Sequence, residues 1–138
     1  MSEQNKKIAY RAFEEVQSEG KLDLVDELVV TDYIGHTPLG ELYGPERVKQ
    51  FFATLRDSFP NLQVTVEDQI AEGDKVATRW TARGTHEGQF QAVPATGRQM
   101  TMTGMTIFRI ANARIIEGWT NADILGMLVQ LRAIPAPG

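Results

Sequence analysis

Phe51-Phe52-Ala53-Thr54-Leu55-Arg56-Asp57-Ser58-Phe59-Pro60-Asn61-Leu62-Gln63-Val64-Thr65-Val66 changes its hydrophobic period halfway along. Up to Ser58 the apolar positions Val48, Phe51, Phe52 and Leu55 fall on one stripe of a helix. Pro60 disfavours helical backbone at the residue before it and ends that helix. Beyond it Leu62, Val64 and Val66 alternate with Asn61, Gln63 and Thr65, which is strand behaviour. Before this point the chain reads as helix and loop. After it, as far as residue 121, it reads as strand and turn.

Working upstream, the spacing predicts a helix over 3–19, with Ile8, Ala12, Phe13 and Val16 (and Ala9) on one stripe and Gly20 as the stop. A shorter helix is predicted over 21–30, with Leu22, Val25, Leu28 and Val29 inward. Asp32-Tyr33-Ile34-Gly35-His36-Thr37-Pro38 has no period and is expected to be a loop with a short extended piece. Gly40 and Gly44-Pro45 mark the next loop, and Pro45 suits the first turn of the helix that follows.

Working downstream, Glu72-Gly73-Asp74-Lys75 is a hairpin turn leading to a strand from Val76 to His86. Residues 87–98 form a longer loop with Gly88, Pro94 and Gly97. Strands follow over 99–110 and 114–121, joined by the Ala111-Asn112-Ala113 turn. A last amphipathic segment runs from Ile124 to Leu131, and residues 132–138 are expected to be a flexible tail. Helices gathered ahead of an antiparallel meander mean an α+β fold in one domain over 1–138, not a parallel βαβ sheet.

Composition narrows the function classes. Hydrophobic residues are 42% and charged residues 23% of the 138, ordinary for a globular chain with a core. The net charge is −4 and the longest basic run is Lys6-Lys7, which argues against nucleic-acid or anionic membrane partners. With no cysteine, disulfides, thiolate chemistry and Cys-ligated metals are excluded. The N-terminal residues lack the apolar stretch of a secretion signal, and no apolar run reaches the ~20 residues of a membrane span. A cytoplasmic location is the expectation.

Several short stretches, taken in order, carry a resemblance. They include Leu22-Asp23-Leu24-Val25-Asp26-Glu27-Leu28, Asp32-Tyr33 with His36, Gly44-Pro45-Glu46, Phe59-Pro60-Asn61-Leu62 and Glu72-Gly73-Asp74-Lys75-Val76-Ala77. Arg79-Trp80-Thr81, Gly84-Thr85-His86-Glu87-Gly88, Pro94-Ala95-Thr96-Gly97, Ile107-Phe108-Arg109 and Trp119 with Asp123-Ile124-Leu125-Gly126-Met127-Leu128 complete the set. In this order and spacing the chain resembles the SnoaL-like polyketide cyclases of the nuclear-transport-factor-2-like superfold. The resemblance implies a cone: a curved antiparallel sheet wrapped around the N-terminal helices, with a pocket in its mouth. It implies a homodimer through the outer sheet face and a hydrophobic small-molecule ligand. It also implies cofactor-free acid/base chemistry, either aldol cyclisation or isomerisation of a carbonyl compound. A cone of this kind also hosts plain binding domains and hydrolases.

Asp123 is the first candidate catalyst. The resemblance gives an aspartate here the role of acid/base, and burial in a pocket would raise its pKa towards working pH. Its place just before Ile124 also suits a helix N-cap. His86 and His36 are the two histidines, either of which could act as acid or oxyanion donor. His86 reads equally as a strand-end residue bonded to a loop, and His36 is expected in a loop over the mouth. Tyr33, Arg79, Trp80, Met102, Trp119, Asn121 and Phe51 are candidate substrate-binding residues, with core packing the alternative for the apolar ones. The phase of the second strand, Arg79, Thr81 and Arg83 against Trp80 and Ala82, stays open because a bulge would reverse it. No metal-ligand spacing, phosphate loop or Ser/His/Asp nucleophile word is present. Limonene-epoxide-hydrolase relatives place Arg-x-Asp at this strand with a second aspartate on the last. Here Arg79-Trp80-Thr81 and Asn121 break that arrangement, so epoxide or ester hydrolysis is the weaker alternative.

Overall fold

A computed structural model describes residues 2–135. The first helix, α1 (Ser2–Arg11), runs on into a wider π-helical stretch, Ala12–Ser18. There Glu19 N–H reaches back to Glu14 O, and Phe13 and Val16 are buried. Gly20 stops it in the left-handed region at φ +76. Arg56 lies so close that a Cβ on Gly20 would fall 2.8 Å from its Nε, while its Nη1 donates to Gln17 O and Ser18 O. A guanidinium on the last carbonyls of a helix satisfies otherwise orphaned acceptors.

The second helix is shorter than the spacing predicts. A single 3-10 turn, Leu22–Leu24, leads into α2 (Val25–Leu28), and Val29 already belongs to a strand. That strand, β1 (Val29–Thr37), turns through Pro38-Leu39 into β2 (Gly40–Tyr43). The segment expected as loop is therefore mostly sheet. Its period is hidden by a bulge: Val29 pairs with Ile115 and Ile34 with Glu117, so extra residues on β1 break the alternation.

Helix α3 (Gly44–Ser58) carries Pro45 at its start and ends before Pro60. Strands β3 (Gln63–Glu72), β4 (Lys75–Thr85), β5 (Gln99–Ala111) and β6 (Arg114–Ala122) follow, then the short helix α4 (Ile124–Gln130). The sheet order is β2-β1-β6-β5-β4-β3. All neighbours are antiparallel except β1 and β6, which run parallel. The α+β cone stands as expected, with that one parallel pair added. At the start of the tail, Arg132 N–H bonds Val129 O and Ala133 N–H bonds Leu128 O; residues 136–138 lie outside the described residues. Among the described residues no helix is long and apolar enough to cross a membrane.

Register fixes the phase that the sequence leaves open. Trp80 lies opposite Gly104, Thr106 opposite Thr120 and Phe108 opposite Gly118, all on the face that packs on the helices. Arg79 opposite Met105, Ile107 opposite Trp119 and Arg109 opposite Glu117 share the outer face. The helices and the inner face do not fill the space between them, and a cavity remains.

Candidate functional site: an apolar cavity with hydroxyl donors

The cavity has a volume of about 120 Å³. On the same measure one water needs roughly 10–15 Å³, so the space equals about ten waters, the scale of a bicyclic organic molecule. Phe13 and Val16 of the π-helical stretch and Val48, Phe51, Phe52 and Leu55 of α3 form one wall. Trp80, Ala82, Met100, Met102 and Phe108 of the sheet form the other, and Met127 of α4 closes one side. Pro38 and Leu39 of the β1–β2 turn line it and are exposed, which marks the opening.

Phe90 reaches the cavity from the 87–98 loop. Three contacts hold that loop to the end of α3. The Ser58 hydroxyl donates to Gln89 O at 2.6 Å, and the N–H groups of Glu87 and Gly88 donate to Ser58 O. His86 belongs to the same clamp. It is fully buried, its Nδ1 accepts the Thr96 N–H at 3.3 Å, and its ring packs on Phe59 at 5.4 Å. Its Nδ1 also lies 3.0 Å from Thr96 Oγ1, and its Nε2 has no partner among the described residues. His86 is not one of the cavity-lining residues.

Two aromatic rings lie flat on the inner sheet face because glycines make room for them. A Cβ on Gly104 would fall 2.3 Å from Trp80 Cζ2. One on Gly35 or Gly118, which pair across β1 and β6, would fall 2.8 or 2.7 Å from the Tyr33 hydroxyl. The Tyr33 ring is buried, its hydroxyl makes no hydrogen bond within the described residues, and the residue lines the cavity. Burial, with the Glu117 carboxylate adding to it, pushes its pKa well above that of an ordinary phenol. Tyr33 thus stays a neutral hydrogen-bond donor. Beside it, Trp80 Nε1–H donates to Thr106 Oγ1 at 3.0 Å, and Thr106 Oγ1 lies 2.9 Å from Thr120 Oγ1.

The other candidates are spread over the molecule. Phe51, Met102, Trp80 and Tyr33 line the cavity; Arg79, Trp119 and Asn121 are exposed on the outer face, as register requires. His36 is on β1, not in a loop over the mouth. It sits on the outer face between Glu41 (Nδ1, 2.8 Å) and Glu117 (Nε2, 2.8 Å), and its ring stacks on Trp119 at 5.8 Å. Hydrogen bonds to Glu117 and then Glu41 raise the His36 pKa; the bond from His36, with help from Arg109, lowers that of Glu117. Asp123 is exposed at the start of α4, where Oδ1 accepts the Gly126 N–H at 2.9 Å. Its chain neighbours Ala122 and Ile124 line the cavity, but Asp123 does not. The N-cap geometry is therefore present, and Asp123, His86 and His36 are not brought together. Thr106 and Thr120 are cavity residues that the sequence reading did not single out. Alternation along one strand gives no phase, and the signal that would have found them is the cross-strand pairing of two threonines.

A cone of helices and curled sheet around an apolar cavity is the architecture of small-molecule cyclases and binding proteins. The profile of the SnoaL-like polyketide cyclases matches residues 7–131, and the chain belongs to that family. Aklanonic acid methyl ester cyclase DnrD of Streptomyces peucetius is 29% identical over 127 residues, covering 88% of this chain and 86% of that protein. Among solved structures, a Jannaschia Sp. CCS1 protein classed with the SnoaL-like polyketide cyclases superposes with a TM-score of 0.88 at 28% identity, over 97% of this chain and 95% of the other. IdmH of Streptomyces antibioticus superposes with a TM-score of 0.83 at 32% identity, over 94% and 99% of the two chains.

Proposed function

We propose that the protein binds a hydrophobic carbonyl compound in the cavity and closes a ring in it by an intramolecular aldol step. The observation that carries this reading is an apolar cavity with few polar groups, among them the Tyr33 hydroxyl, which has no hydrogen bond within the described residues. A base removes a proton from the carbon next to a carbonyl, and Tyr33 donates to the enolate oxygen that forms. The enolate carbon bonds to a second carbonyl carbon, and the new alkoxide takes a proton back. Substrate and product are isomers, so the step balances without a cofactor. Donors aimed at an oxygen that gains charge stabilise the transition state more than the ground state.

Asp123 is the proton carrier in this reading. It is joined on both sides to cavity-lining residues, and its Oδ2 makes no hydrogen bond within the described residues. The test is turnover of polyketide-like keto esters by Asp123→Asn. Asparagine keeps the helix cap, so a fall in kcat with an unchanged melting temperature supports the role, and unchanged turnover removes it.

A second reading, ligand binding without chemistry, has its own observation: among the described residues no carboxylate or imidazole lines the cavity. In that case a hydrophobic ketone binds, no keto ester turns over, and Asp123→Asn binds as the wild type does.

We also infer that two copies pair through the outer sheet face. Ile70, Met105, Ile107 and Trp119 of strands β3, β5 and β6 are 67%, 53%, 41% and 38% exposed, and Ala77 of β4 pairs with both Ile70 and Ile107 between them. Lone exposed apolar residues are common, but a cluster on one sheet face is the mark of an interaction surface.

A further inference from the structure

We propose that Thr120 is a second ligand-contacting residue, its hydroxyl donating to a ligand oxygen because Trp80 and Thr106 leave its proton no other partner. The inference rests on the cavity being the substrate site and deepens that reading. It follows from counting protons. The indole N–H of Trp80 is a donor only, and it donates to Thr106 Oγ1 at 3.0 Å. The one remaining bond of the group joins Thr106 Oγ1 and Thr120 Oγ1 at 2.9 Å. Three donor protons thus meet two bonds, and one hydroxyl proton is left over.

Burial decides which. Both threonines line the cavity, but if Thr120 donated to Thr106, Thr106 would accept twice and its own proton would be left over at a residue only 3% exposed. A buried donor without a partner is costly. If Thr106 donates to Thr120, the buried hydroxyl is paired, and the free proton belongs to Thr120, the more open of these two cavity residues. The chain then runs in one direction, from indole to Thr106 to Thr120 to ligand, and each donor polarises the next.

The chemistry of the ligand follows. Tyr33 and Thr120 both present O–H groups to a cavity that, among the described residues, no cationic side chain lines. Gly118, which lies under the Tyr33 hydroxyl, is two residues from Thr120 on the same face of β6. Side chains at that spacing are about 6–7 Å apart along a strand. The two donors therefore suit a neutral compound with acceptor oxygens on one edge, such as a ketone next to an ester, better than an alcohol or an acid. Thr106 and Trp80 act as positioning residues.

The experiment compares α-tetralone with tetralin, the same bicycle without the oxygen, by calorimetry on wild type, Thr120→Val and Thr120→Ser. Thr120→Val is expected to weaken α-tetralone binding about tenfold, the size of one hydrogen bond of ~1.4 kcal/mol, and to leave tetralin within twofold. Thr120→Ser is expected to restore α-tetralone affinity. The carbonyl stretch of bound α-tetralone should lie lower in wild type and Thr120→Ser than in Thr120→Val. Thr120→Ala carries the same comparison should the valine variant not fold. If both compounds bind wild type and Thr120→Val changes neither or both alike, the Thr120 assignment is overturned and the cavity reading stands. If neither compound binds wild type, the cavity reading falls and takes this one with it.

Discussion

Gly104→Ala should destabilise the fold although alanine suits a strand better than glycine. The new Cβ would fall 2.3, 2.5 and 2.7 Å from Cζ2, Cη2 and Cε2 of Trp80, where carbon atoms need about 3.5–4.0 Å. The indole must move back by an ångström or more, and it has little room: it is 6% exposed and its ring centroid is 6.3 Å from that of Phe13. Overpacking of this kind costs about 1–3 kcal/mol. Moving the indole also breaks its bond to Thr106, leaving a buried N–H unpaired for about 1–3 kcal/mol more. Removing glycine from the unfolded chain returns about 0.4–1 kcal/mol. The balance is a loss of about 1–5.6 kcal/mol, or a melting temperature lower by roughly 3–20 °C for a domain this size. The assay is thermal and urea unfolding, with near-ultraviolet circular dichroism reporting on the tryptophans. The same change in a Trp80→Leu background should cost little or nothing, so the double-mutant cycle isolates the clash. A melting temperature unchanged in the wild-type background, or an equal loss in both backgrounds, would refute the packing argument for Gly104.

Three more outcomes follow from the same geometry. Asp123→Ala should lower stability by about 1 kcal/mol through loss of the α4 cap, measurable by urea unfolding, while Asp123→Asn should not. His36 should titrate above its ordinary value in an imidazole NMR titration. A raised folded-state pKa adds stability that is complete below pH ~6.5 and fades as pH rises through the higher value, whereas the lowered Glu117 pKa adds stability that fades as pH falls. Replacing His36 by Gln should flatten both slopes; a midpoint at or below 6.5 would contradict the pairing. Ile107→Glu, at the centre of the outer apolar patch, should convert a dimer to a monomer in light scattering without changing α-tetralone binding.

Much of the fold is legible in the sequence because its period is clean. The switch at Pro60, the hairpin at Gly73 and the long alternation from Gln99 to Ala111 are local signals, and they fall where the strands and helices lie. β1 is not legible in that way: its bulge destroys the alternation, and it is a strand through a short hairpin to β2 and a parallel pairing with β6, some eighty residues away. The site is harder still. Which of Arg79 and Trp80 faces inward depends on register, and the inward choice leaves Trp119 and Asn121 outside. The cap at Asp123 and the loop bond at His86 are both readable from their places in the sequence, but that neither side chain lines the cavity is not. Thr106 and Thr120 look like ordinary strand threonines until they are set side by side.

The most direct test is the crystal structure of the protein with α-tetralone bound. The ring should lie between Phe51, Trp80 and Met102, with the carbonyl oxygen within hydrogen-bond distance of Tyr33 or Thr120. Ligand found on the outer sheet face alone, or held in the cavity with its oxygen turned away from both hydroxyls, would contradict that assignment.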